Sequence, residues 1–416
     1  VLQGPVLEHA LLVVGALLPL LGGGNVLLVV EPEDAMRYLA LVGVGAWGLV
    51  ASRGARSQAP GGDQPIMATA CLLMLATWWL GELTLRASGP RAFLEAQGLF
   101  VGVLLFAGVS RYPLRQAELV ALVHGVLVGA LVTVAYSQYQ YWVVFPRLMP
   151  ILKAARAPAI DLVNANFYNA NCYAAFLSAV ILLGIGTFNQ HSSRAGRTAI
   201  VLSVLALAIT VLLSESRSTM GLLFLGAAAL LALGGRRTKA VISHRRRVLA
   251  WTAVAAGAAF AVALAFVDLS ELWNVGWLGR LSVWQGSLAM IRAHALLGVG
   301  VGRFWDYFSS YRVTTYYTRY PHNFLLEIFA ELGIVGIAAT LGFLVAAFIR
   351  PLRLLVSLIR CGGPSTSLPA SVVIAAIFLF AHALVDIDWH APANPILLFV
   401  LLGVCQNFRA PAAAKT

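Results

Sequence analysis

The sequence predicts an all-α protein that crosses a membrane about 12 times. Three observations predict it. First, 60% of the 416 residues are hydrophobic and only 11% are charged, against roughly 25% charged in a soluble domain. That leaves too little polar surface to solvate so long a chain in water. Second, apolar runs of about the length that spans hydrocarbon, ~20 residues, recur along the whole chain. Third, one long polar interruption, residues 269–323, falls before the tenth run.

The runs lie near 8–30, 35–52, 66–85, 92–110, 117–137, 170–189, 197–214, 218–234, 248–268, 324–349, 368–386 and 394–408. They divide the chain into helices 1–9 (6–268), a loop that carries the polar site (269–323) and helices 10–12 (324–410). Val1–Pro5 reads as a protease-cleavage remnant of a tag. No cleavable signal peptide is evident, so the first run is expected to stay as an anchor. Glycine and alanine are dense in several runs, as at Ala255–Ala265, which permits close helix packing. Cys71, Cys172, Cys361 and Cys405 are scattered, with no CxxC spacing, so neither a disulfide framework nor a zinc site is indicated.

The net charge of +12 and pI near 10.0 admit a nucleic-acid partner. In a membrane protein they read better as a basic cytoplasmic face against anionic lipid. With the N-terminus in the cytoplasm, Arg53, Arg56, Arg111, Arg115, Arg194 and Arg197 all fall inside, as does the dense Arg236–Arg247 cluster. The acidic turn Glu31–Asp34 then falls outside. Two long loops are also external, Gln138–Asn169 and Asp268–Asn323. The second holds Arg280, Arg292, Arg303, Arg312 and Arg319 against only Asp268, Glu271 and Asp306. Long external loops escape the charge rule, so this excess calls for a reason other than topology; the alternative is a solvated, folded cap.

Four groups of residues carry candidate chemistry. Pro321-His322-Asn323 sits where the long loop enters the tenth run, and Asn323, Glu327 and Glu331 recur at helical spacing on one face. A neutral His322 held in place meets the need of a general base; the alternative is a histidine that caps the helix. Gly298, Gly300 and Gly302 form a turn that either brings backbone N–H groups to an anion or is a plain loop turn. Arg217, in Ser214-Glu-Ser-Arg-Ser218, either pairs with Glu215 or joins the loop arginines around a diphosphate, where its fork donates two hydrogen bonds. Asp386, Asp388 and His390 would hold a divalent cation if extended; the favoured reading is that they bond to the arginines and fix the site's walls. Trp284, Trp305, Tyr307, Tyr316 and Tyr317 offer aromatic faces for stacking or anchor at the membrane interface.

These motifs, in this order, resemble the O-antigen ligase/polymerase superfamily over roughly residues 160–400. The segments are Asn164-Ala-Asn166-Phe with Asn171, Ser216-Arg217-Ser218, Arg280-xxx-Trp284 and Gly298-Val-Gly300-Val-Gly302-Arg303-Phe304, then His322-Asn323-xxx-Glu327-xxx-Glu331-Leu-Gly333-xx-Gly336 and His382-Ala-Leu-Val-Asp386. One departure is Asn166-Phe-Tyr-Asn169, where a Gly-Thr-Phe-type lead is more usual. The resemblance implies a GT-C-like, metal-independent glycosyltransferase of the bacterial inner membrane, with no cofactor and its site facing the periplasm. The implied donor is a glycan on undecaprenyl diphosphate. The implied acceptor is lipid A–core oligosaccharide for a ligase, or another repeat unit for a polymerase. By position, His322 would be catalytic, and Arg217 and Arg280 would hold the diphosphate. Arg303, Arg292, Asn323, Trp284, Asp386 and Asp388 complete the expected substrate-binding set. Membrane lipid is an expected partner and nucleic acid is not. The rival class is a secondary transporter or flippase. Against it stand a short middle connection, Asn189–Arg197, and no visible repeat between the halves.

Overall fold

The computed structural model describes residues 5–21, 68–71, 73–75, 102, 104–111, 114–154, 163–167, 169–234, 278–313, 318–361 and 367–408. The runs at 35–52 and 248–268, the Arg236–Arg247 cluster, the Glu31–Asp34 turn, Tyr316 and Tyr317 lie outside the described residues. Among the described residues there is no strand. The helices are α1 (Pro5–Leu17), α2 (Gln116–Tyr139), α3 (Phe145–Ala154), α4 (Ala170–Thr187), α5 (Arg194–Leu213), α6 (Arg217–Gly234), α7 (Leu278–Ala293), α8 (Phe304–Phe308), α9 (Phe324–Cys361), α10 (Ser367–Ala383) and α11 (Ala393–Cys405). Segments 68–71, 73–75 and 104–111 are helical as well.

Helix α4 is the centre. Its sequence is apolar on every face, and nearly every residue is buried, which is the pattern of a helix enclosed by others. Helices α2, α5, α6 and α10 pack around it. Asn169 caps its start by accepting the Cys172 N–H at 3.0 Å. Helix α5 shows the opposite pattern. Val201, Leu202, Leu205, Ile209 and Leu212 are all exposed along it. A long apolar stripe turned outward is unstable in water and at home in lipid. Four described helical stretches are long and apolar enough to cross a membrane, 116–148, 170–190, 194–213 and 324–359, and four shorter apolar helices accompany them.

Two expectations about the outer loops change. The segment after Gln138 is not loop but helix through Ala154, by way of a π turn at Gln140–Val144. Its polar residues read as loop, yet they make specific bonds. Gln138 donates to Thr210 Oγ1 and Gln140 to the Ala165 carbonyl. The long loop before the tenth run contains α7, 16 residues, and the short α8.

Helix α9 starts at Phe324, where the Pro-His-Asn motif places it, but runs 38 residues. At about 1.5 Å per residue that is nearly twice the ~30 Å of hydrocarbon. A break at Gly333 (φ 62°) divides it. There the Gly298 turn docks back to back with the break. Val299 N–H donates to the Ala330 carbonyl, Gly300 N–H to Glu331 and Ile334 N–H to Ala295. A Cβ at Gly298 would strike the Glu331 backbone and one at Gly333 the Leu296 backbone, and both residues have positive φ. Only glycine fits either place.

Candidate active site

One end of the bundle gathers the polar residues. The starts of α4, α6, α9 and α11 meet there with the ends of α5 and α10. The hairpin between α10 and α11 carries two buried carboxylates, Asp386 and Asp388. Arg280 donates to Asp386 Oδ2 at 2.7 Å, and His322 Nδ1 lies 3.4 Å from Asp386 Oδ1. A carboxylate can only accept, so Nδ1 carries the proton and Nε2 is left with its lone pair. The 3.4 Å distance is long, as contacts in an unliganded site often are. Burial alone would push the Asp386 carboxyl up. The His322 bond and charge, then Arg280 and His382, outweigh it and hold this carboxyl well below its usual range. Asp388 goes the other way: burial raises it, and His382 offsets this only in part.

The strap that delivers His322 is fixed at each residue. Thr318 Oγ1 donates to the Tyr320 carbonyl at 2.8 Å. Trp284 Nε1 donates to the Pro321 carbonyl at 2.9 Å. Asn323 Oδ1 accepts from the Leu325 and Leu326 N–H groups at 3.0 and 3.1 Å. The helix cap is therefore Asn323 and not His322, which removes the capping alternative for the histidine. His322 has φ 53°, a conformation that side chains usually avoid. Among the described residues the other positive-φ positions outside glycine are Ala165 and Glu215, and all three sit in turns at this end. Such strain concentrates where a loop must aim a residue.

Arg280 and Trp284 are one turn apart on α7, so one helix face holds both the Asp386 partner and the strap. The indole N–H of Trp284 is thus committed to backbone. Glu327 and Glu331 do not act with Asn323 as one row. Glu327 Oε1 lies 2.8 Å from His390 Nε2, and His390 stacks on Tyr320 at 3.5 Å. Glu331 accepts the N–H groups of Gly302 and Phe304, each at 2.9 Å. The glycine turn does present a backbone N–H, that of Gly302, but to the protein's own carboxyl group.

Arg217 opens α6 at the same end. It is exposed and makes no ion pair with Glu215, contrary to one of the two alternatives. Ser218 and Thr219, which follow it, bond to His382 of α10. Arg303 lies instead beside Asp306 (3.9 Å) and over the Tyr307 ring (5.0 Å). Arg292 is three turns beyond Arg280 on α7 and exposed. That is about 18 Å of helix at ~1.5 Å per residue, so it does not join the Asp386 group. Asp388–His390 forms a 3-10 turn, not the extended strand that a shared cation requires. The three side chains of Asp386, Asp388 and His390 go to different partners.

Fold and site together define a polytopic membrane protein with an arginine–histidine–carboxylate group at one end of its bundle. Residues 202–341 match the O-antigen ligase family. This stretch holds Arg217, Arg280, Arg303 and His322, and the resemblance of the chain to the O-antigen ligase/polymerase superfamily stands on it. No curated protein matches the chain.

Proposed function

We propose that the chain is a glycosyltransferase that moves a glycan from undecaprenyl diphosphate to lipid A–core oligosaccharide at the periplasmic face of the bacterial inner membrane. The observation that carries it is Asp386, which holds the base and a phosphate-type cation at once: His322 on one oxygen, Arg280 on the other. The acceptor hydroxyl attacks the anomeric carbon. Its proton passes to His322 Nε2, and the bond from that carbon to the diphosphate oxygen breaks. The leaving diphosphate gathers negative charge. Arg280 and Arg217 stabilise it, because a guanidinium fork matches phosphate oxygens. The donor carries its own leaving group, so the step needs no nucleotide.

The orientation rests on charge. Arg111, Arg115, Arg194, Arg197, Arg350 and Arg353 all lie at the end of the bundle away from His322. That is the pattern of a cytoplasmic face, and it turns the site outward. A transporter would place its polar groups near the midplane between two repeats, whereas here they stand at helix ends.

Incubating the purified protein with undecaprenyl diphosphate-linked glycan and both acceptor types tests the reading. Product on lipid A–core without added nucleotide supports a ligase. Product only on repeat units makes it a polymerase, and no transfer to either contradicts the proposal.

A further inference from the structure

The group just described leaves the buried His382 unused. His382 is fully buried at the end of α10, and both ring nitrogens are bonded. Nδ1 meets Asp388 Oδ2 at 2.5 Å. Donating there makes Nε2 the acceptor, which takes the hydroxyls of Thr219 (2.8 Å) and Ser218 (3.2 Å). The second Asp388 oxygen accepts from Asn394 Nδ2 at 3.0 Å, and the same amide donates to the Cys172 carbonyl in α4. A continuous chain of bonds thus runs from the central helix to the first turn of α6.

We propose that His382 is a positioning residue for the diphosphate end of the donor, fixing Arg217 in register with Arg280 through Ser218 and Thr219. The inference rests on reading the two arginines as the diphosphate clamp.

The geometry supports this in three ways. Arg280 is held through its side chain, by Asp386. Arg217 makes no such bond among the described residues, so only the backbone of its turn sets its place. That turn is anchored by buried hydroxyls: Ser214 accepts the Ser216 N–H, Ser216 pairs with Thr219 at 2.7 Å, and Thr219 bonds His382. Finally, Asp386 and Asp388 belong to one hairpin two residues apart. One short rigid element therefore sets both cations, the first directly and the second through His382. An apolar helix end of the same shape would stabilise the bundle without burying so many polar groups, each of which needs a partner to avoid a penalty.

The test is a double-mutant cycle on the full chain, reading the Kd for undecaprenyl diphosphate alone. Thr219→Val keeps shape and removes the hydroxyl. We expect it to weaken binding about 10-fold when Arg217 is present and to add nothing in an Arg217→Ala background, because a hydroxyl that acts only by placing Arg217 has nothing left to place. Equal weakening in both backgrounds, or none in either, overturns the inference while leaving the clamp intact. Unchanged binding in Arg217→Ala itself would instead remove the clamp reading on which it rests. If Thr219→Val does not fold, Ser218→Ala carries the same cycle, with an effect of about threefold.

Discussion

Asp386 and Glu331 are both buried carboxylates, both one step from the loop that holds the arginines, and they do opposite things. Asp386 spends its oxygens on side chains, His322 and Arg280, and His322 keeps a lone pair on Nε2 for chemistry. Glu331 spends its oxygens on backbone N–H groups of Gly302 and Phe304, which then have nothing left to offer. One carboxylate arranges chemistry and the other closes a loop. The contrast shows that an acid near an arginine-rich loop is read by what its partners retain.

The comparison breaks most visibly at Asp386. Asp386→Asn should lower kcat by about 10²–10⁴-fold, because an amide can present its N–H to His322 and reverse the tautomer. A loss under tenfold in a transfer assay would mean that Asp386 only packs. At Glu331 the readout should move from activity to stability. Glu331→Ala leaves two backbone donors without their acceptor, a penalty of about 1–3 kcal/mol. The melting temperature should fall by several degrees while kcat per folded molecule stays within about threefold.

Acid titration sharpens the same contrast. Because the folded Asp386 carboxyl lies below its usual range, its ionised form favours the native state. This contribution is complete above the unfolded value of about 4 and is lost as the pH falls toward the lower folded value. The stability gap between the wild type and Asp386→Asn should therefore be constant from pH 7 to about pH 4 and narrow below it. A gap that narrows already above pH 5 contradicts the pairing. The smallest effect is expected at Arg292. It stands at the far end of α7, so Arg292→Ala should change donor Kd and kcat by less than about twofold, whereas Arg280→Ala should abolish transfer.

Much of this arrangement was legible in the sequence. The exit of the long loop into α9 could be placed at Phe324, because Pro321-His322-Asn323 ends the polar stretch just before the apolar run at 324–349. The gathering of His322, Arg217 and Asp386 on one side followed from alternating membrane runs. The pairings did not follow. Arg280 meets Asp386 across 106 residues and His322 meets it across 64, and no local period encodes such contacts. Helix α7 was hidden because Ser282, Gln285 and Ser287 interrupt its apolar residues. Without its register, Arg292 and Arg280 counted as neighbours in one charged loop. The helix through the π turn after Tyr139 was missed for a related reason: Gln138 and Gln140 look like loop residues until Thr210 and Ala165 are seen to receive them. His382 gave only its place in a motif; the hydroxyl pair on α6 that gives it a role is 163 residues away.

The central claim is that His322, oriented by Asp386, takes the proton from the acceptor. Its most direct test is the pH dependence of transfer for the wild type and for His322→Gln, which keeps similar size and a hydrogen bond but cannot serve as a base. The account predicts a wild-type rate that rises with pH as the base becomes available, and a His322→Gln rate lower by about 10²–10⁴-fold with no such rise. Comparable rates for the two proteins across pH 5–9, with the same profile, would contradict it.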